Sequence, residues 1–110
     1  MSIDSNDDAV FKALANGLRR QMLDALKAAP QTTGMLCEQF SQIDRCTVMQ
    51  HLRVLEDANL ILAHREGRER WNHLNALPIQ AIHDRWISQY ADHAMSVLTA
   101  LHQRLESPPK

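Results

Sequence analysis

Between Asp44 and Leu74 the chain sets out a series of side chains suited to gripping a polyanion and reading its edges. Arg45, Thr47, Gln50, His51 and Arg53 fall in a helix-forming run that ends at Asp57, and Arg65, Arg68 and Arg70 surround a glycine turn a few residues later. Arginine and glutamine are the residues that bond bidentately to guanine and adenine edges in a major groove, and arginine also binds phosphate oxygens. At about 100° per residue, Val48, Leu52 and Leu55 cluster on one side of a helix while Cys46, Gln50, Arg53 and Asp57 lie nearly opposite. The first set is expected to pack down and the second to face outward. The first turn of such a helix presents unpaired N–H groups and a positive dipole end, which suit a phosphate oxygen, with Arg45 and Thr47 beside them. This pattern favours recognition of duplex DNA. Arg53 and Gln50 are the candidates for base edges, Arg45, Thr47 and His51 for backbone or groove contacts, and Arg65, Arg68 and Arg70 for a minor groove or the phosphates along it.

These side chains need a frame, and the sequence supplies one. Ser5 with Asp8 resembles a capping arrangement, followed by Val10, Phe11 and Leu14 at helical spacing up to Asn16-Gly17. Asn16 is placed to cap a second helix with Leu18, Met22, Ala25 and Leu26 on one face and Arg19, Arg20, Asp24 and Lys27 on the other, ending before Pro30. Thr32 or Thr33 caps a short third helix through Phe40, and four residues, Ser41 to Asp44, lead into the reader helix. Two helices joined by so short a turn fit the helix-turn-helix plan. Asn59 stands where the chain must turn left-handed. Leu60–His64 and Glu69–Leu74 alternate like strands around Arg65-Glu66-Gly67-Arg68, which predicts a wing. A plain solvated hairpin, its arginines paired with Glu66 and Glu69, is the alternative for that segment.

From Asn75 a long helix is expected, with Pro78 in its first turn. Ile79, Ile82, Trp86, Tyr90, Ala94, Val97 and Leu101 form an apolar stripe too long for one small domain to cover. A second subunit is the expected cover, and a two-fold dimer would hold two reader helices about one DNA turn apart.

The whole-chain balance of 12 basic and 13 acidic residues gives a formal charge of −1, so attraction to phosphate must come from local placement. Residues 45–74 hold five arginines against four acids and are the only net positive third. Two cysteines are too few for a stapled secreted scaffold, no leader pattern stands at the start, and apolar runs are broken by charge well short of a spanning helix. A cytoplasmic protein without membrane contact is expected. The organisation predicted is a frayed tail over 1–8, a winged helix-turn-helix domain over 9–106 whose last helix covers about 76–106, and a second tail over 107–110.

The segments Phe11-Lys12-Ala13-Leu14-Ala15-Asn16 into Leu18-Arg19-Arg20, Thr47 through Leu60, and Arg65-Glu66-Gly67-Arg68-Glu69-Arg70 together resemble the ArsR/SmtB family of bacterial winged-helix repressors. The resemblance covers most of Val10 to Glu106. It implies a mainly α fold with a small β-hairpin and a homodimer through the first and last helices, with Phe11, Ile79, Ile82, Trp86, Tyr90, Val97 and Leu101 in the interface. It also implies repression at an inverted-repeat operator, relieved by a signal that leaves a small-molecule or redox effector open. Against the family pattern, Met49 stands where Ser is usual, Asn59 where Gly is usual, and Asn72 where an aromatic is usual. Met49 cannot donate, so its expected DNA contact is apolar, for instance to a thymine methyl.

Metal-sensing relatives place a Cys-x-Cys pair in the third helix, or an Asp-x-His with a later His-x-x-Glu or His-x-x-His on the last one. Here Cys37 has Met35 and Gln39 two residues away, and neither histidine spacing occurs. No metal or cofactor is therefore expected. A metal- or redox-responsive derepressor using Cys37 and Cys46, or His83 and His93 across a dimer, is the first alternative. An adaptor that binds protein and never DNA is the second. No Gly-x-Ser-x-Gly, His-Glu-x-x-His or glycine-rich phosphate loop supports an enzyme.

Overall fold

The computed structural model describes residues 3–106, which divide into two compact units at Ile79 and Gln80. The first contains α1 (Ile3–Leu14), α2 (Gly17–Ala28), β1 (Gln31–Thr32), α3 (Thr33–Gln39), α4 (Arg45–Asp57), β2 (Ile61–Glu66) and β3 (Glu69–Leu74). Then come α5 (Leu77–Ile82), which starts before the boundary, a π-helical stretch His83–Ile87, and α6 (Ser88–Glu106). The tail expected at 107–110 lies outside the described residues.

The amino-terminal expectation needs correction. Helix α1 begins at Ile3, so the stretch read as a frayed tail over 1–8 is helical from its third residue, and Ser5 lies within the helix rather than at its start. Val10 and Ala13 are fully buried and anchor the helix, and an anchored helix extends cheaply because each added residue gains one bond.

The other helices start and stop on chemistry that the sequence displays. Asn16 caps α2 by accepting from the Arg19 N–H at 3.1 Å, and Thr32 caps α3 by accepting from the Met35 N–H at 3.1 Å. Asp44 caps α4, its Oδ1 accepting from the Thr47 N–H at 2.8 Å. At the far end of α4, Asn59 takes φ 62°, while the Leu60 N–H reaches the Leu55 carbonyl and the Asn59 N–H the Glu56 carbonyl. This is the Schellman arrangement, and Asn tolerates its left-handed residue better than most side chains.

Asp44 is fully exposed, and the bonds from Thr47 hold its carboxyl below the ordinary value of 3.8. A lowered folded-state pKa contributes stability above the ordinary value, and that contribution is lost as pH falls through the lowered one. Asp44→Ala is therefore expected to reduce the melting temperature at pH 7, and thermal melts in a pH series should show the gap from wild type closing in acid. A gap that stays constant down to the lowest pH would mean that the carboxylate is not the cap.

The apolar core of the first unit is drawn from α1, α2, α3, α4, β2 and the residues that adjoin them. Met22, Leu26, Leu36, Val48, Leu55, Leu60 and Ile61 are buried, each with at most 3% of its surface exposed. Three antiparallel strands form a sheet in the order β1-β3-β2, with Gln31 opposite Asn72 and Ala63 opposite the same residue on the other side. The two-residue β1 is absent from the sequence expectation. Alternation divides the hairpin into two faces: Ile61, Ala63, Arg65, Arg70, Asn72 and Leu74 on one, Leu62, His64, Glu66, Glu69, Trp71 and His73 on the other. Ile61 and Asn72 are buried on the first face, whereas Leu62 on the second is 56% exposed.

Candidate DNA-reading face

Because α4 buries Val48, Leu52 and Leu55, its opposite side must face water: Cys46, Gln50, Arg53 and Asp57 are exposed there, and Arg45 and Met49 are exposed beside it. Thr47 is half-buried, with its N–H committed to the Asp44 cap. The Gly67 turn, at φ +64°, puts Arg65 and Arg68 at the wing tip with nothing close to the glycine's missing Cβ. Two hollows open between α3, α4 and the wing. One of about 380 Å³ is lined by Thr33, Met49, Gln50, Arg53, Asp57 and Arg70, and one of about 320 Å³ by Thr33, Arg45, Met49, Arg65, Arg68 and Arg70. Met49 and Thr33 border both, so helix and wing present one continuous grooved surface. Arg45, Arg53, Arg65 and Arg68 take no hydrogen-bond or ion-pair partner among the described residues. Their donors remain available for phosphate or base oxygens. The tip arginines are therefore not consumed by Glu66 and Glu69, and the plain-hairpin alternative is not the arrangement found.

Two of the expected contact residues are engaged inside the protein. Arg70 pairs with Glu56 through Nη2 and Oε2, which fastens β3 to α4. His51 is half-buried, and its Nδ1 accepts from Arg19 Nη1 at 3.3 Å. Burial, and then the Arg19 cation, push the His51 pKa below its ordinary 6.5, so the ring is neutral and suited to accept. Arg19, on the face of α2 opposite Leu18, Met22, Ala25 and Leu26 in the sequence reading, is half-buried, three residues after Asn16 and within reach of the carbonyls that end α1.

Asn72 fills the place expected to be aromatic by a different means. It is fully buried, and its amide donates to the Gln31 carbonyl and to Thr33 Oγ1, both at 3.2 Å, while its Oδ1 has no partner. Periodicity gives no signal for this contact, since it joins residues about 40 positions apart.

In the second unit, Trp86, Tyr90, Val97 and Leu101 are exposed, with Leu98 and Leu105 beside them. Trp86 and Tyr90 meet edge to face with centroids 5.2 Å apart. Ile82, expected in the stripe, is buried there; in the first unit, Ile79 is half-buried and Phe11 is 39% exposed. Cys37 is half-buried, Cys46 exposed, and both are free thiols. His83 lies 3.4 Å from Asp84, and His93 is exposed. Among the described residues no group of three or more His, Cys, Asp or Glu converges as a metal site, and no helix is long and apolar enough to cross a membrane.

The geometry has counterparts in known proteins. A family model described as a helix-turn-helix domain matches residues 14–63. The transcriptional repressor SdpR of Bacillus subtilis (strain 168) is 37% identical over 71 residues, covering 64% of this chain and 78% of SdpR. The uncharacterized HTH-type transcriptional regulator YuzN from the same organism is 33% identical over 91 residues, covering 77% of this chain and 99% of YuzN. A crystal structure of an ArsR family transcriptional regulator superposes with a TM-score of 0.75 at 27% identity, over 86% of this chain and 96% of that one. The ArsR-like transcriptional regulator from Rhodococcus sp. RHA1 shares the fold, with a TM-score of 0.69 at 23% identity over 94% and 96%. With its reader helix, wing and these relatives, the chain belongs to the ArsR family of winged helix-turn-helix transcriptional regulators.

Proposed function

We propose that this regulator is a cytoplasmic repressor that binds an inverted-repeat operator as a homodimer. Residues 9–106 act as the winged helix-turn-helix domain, and about 76–106 hold the two copies together. The observation that carries the reading is the set of uncommitted arginines, Arg45, Arg53, Arg65 and Arg68, on the one surface that α4 and the wing share. In this reading Gln50 and Arg53 address base edges, Met49 makes an apolar contact, and Arg45 and Thr47 hold phosphates beside the start of α4. Arg65 and Arg68 follow the backbone or enter the minor groove, with Arg70 bracing the wing from behind. Trp86, Tyr90, Val97 and Leu101 face the second copy, which explains why large apolar side chains stand exposed on α6.

Fluorescence anisotropy on duplexes from just upstream of the protein's own coding region, compared with random duplex, tests the binding. Sedimentation at the same concentrations tests the dimer. A monomer, or no binding to any duplex at low salt, would sink the proposal and favour an adaptor. Because each neutralised phosphate releases condensed counterions, Arg68→Ala is expected to reduce the slope of log affinity against log salt by about 1 while leaving sequence preference intact. An unchanged slope would remove Arg68 from the phosphate contacts.

A further inference from the structure

Arg19, in α2, makes four bonds: two to α1, one to α4 and one to the Asn16 cap. Its Nε donates to the Ala13 carbonyl at 2.8 Å and its Nη2 to the Lys12 carbonyl at 3.0 Å, both in the last turn of α1. Its Nη1 donates to His51 Nδ1, halfway along α4, at 3.3 Å, and its own backbone N–H is held by the Asn16 cap at the start of α2. A guanidinium presents its donors in a fixed planar fork, so three acceptors held at once fix the relative pose of the groups that carry them. The carbonyls at the end of α1 also carry its negative dipole end, which favours a cation there. Arg20 strengthens the same junction by donating from Nη1 to the Leu14 carbonyl at 2.6 Å, but it reaches no other helix. His51 faces this junction with a neutral, accepting ring and is half-buried by it.

We infer that Arg19 is a positioning residue for DNA binding, a strut that sets the pitch of α4 against the α1–α2 frame, and that His51 acts through Arg19 rather than by touching DNA. The inference rests on the reading of α4 as the groove helix. His51 lies one helical position from Gln50 and two from Arg53, so a small roll of α4 about its axis moves both candidate base contacts together. An N–H···O bond has its donor and acceptor about 2.7 to 3.2 Å apart and weakens as it bends, so a roll of α4 disturbs both base contacts at once. A strut set on the inner side of α4 therefore governs specificity while contributing little contact of its own.

The test uses the full chain and a labelled duplex recovered by wild-type protein from a random pool. Losing the acceptor in His51→Leu, or the fork in Arg19→Lys, is expected to weaken binding by about tenfold each, with melting temperatures close to wild type. The double variant should be no weaker than the worse single one, and His51→Gln, whose amide oxygen still accepts, should bind within about threefold of wild type. Losses that multiply in the double variant, or a His51→Gln as weak as His51→Leu, would mean that His51 contacts DNA itself and would overturn the inference. A readout without DNA separates this from the function. His51 followed by ¹⁵N NMR should titrate below 6.5 in wild type, and its midpoint should rise in Arg19→Gln as the neighbouring cation is removed. If Arg19→Gln does not fold, the Nδ1 signal of His51 in Arg19→Lys is read in its place, and an Nδ1 unchanged from wild type overturns the strut. If wild type recovers no duplex, the DNA reading fails while the titration still decides whether the strut exists.

Discussion

Arg53→Ala is expected to weaken operator binding by about 1 to 3 kcal/mol per half-site and to relax preference at the base pair that Arg53 reads. The argument is one of position. Arg53 stands on the outer side of α4 opposite Leu52 and Leu55, lines the larger hollow with Gln50 and Asp57, and has no partner within the described chain. Its removal leaves nothing unsatisfied in the free protein, so the whole effect should appear in the complex and none in the melting temperature. Selection of binding sites from a random pool by wild type and variant measures both parts of the expectation. Equal affinity with an equal consensus would place the base-reading function elsewhere on the helix. Lys at the same position is a sharper probe than Ala, since it keeps the charge but not the bidentate geometry, and should retain most of the salt dependence while losing preference.

Leu55→Ala should do the opposite. Leu55 is fully buried beneath α4, and truncating a buried leucine leaves a cavity that costs about 2 to 5 kcal/mol. Against a total stability of roughly 5 to 15 kcal/mol this is a large share. It corresponds to a melting temperature lower by roughly 10 to 30 °C for a domain of this size. Protein that remains folded should still select the wild-type sequence, because no side chain on the outer face has changed. Leu62→Ala provides the contrast: 56% of Leu62 is exposed on the outer face of the wing, and its truncation should shift the melt by little. A Leu55→Ala melt within a few degrees of wild type would show that this core does not clamp α4.

How much of this was readable from residues alone follows from how local each cause is. The caps at Asn16, Thr32 and Asp44 and the left-handed Asn59 depend on neighbours within four positions, and each stands where the sequence puts it. The inward set Val48, Leu52 and Leu55 follows from helix periodicity in the same way. Contacts across the chain were not legible. That Arg70 turns to Glu56, that Arg19 reaches His51 and that Asn72 meets Gln31 are facts of tertiary placement, and no spacing rule encodes which of several arginines becomes internal. An acidic, polar opening reads as a tail, yet α1 starts at Ile3, anchored by the buried Val10 and Ala13. Ile82 shares the spacing of the apolar stripe but is buried, while Trp86, Tyr90, Val97 and Leu101 stand exposed, a difference that spacing alone does not display.

The buried Asn72 has a mechanical consequence for the wing. Hairpins can slide along their partner strand, and a slide by one position exchanges the two faces. Here such a slide would withdraw the amide from the Gln31 carbonyl and the Thr33 hydroxyl, both half-buried, and push Trp71 or His73 into a space shaped for a small polar side chain. It would also turn Arg65 and Arg70 away from the hollow that they line. A polar tooth at this one position thus works as a ratchet stop, giving the tip arginines a fixed reach along the duplex at the expense of one carboxamide oxygen left without a bond.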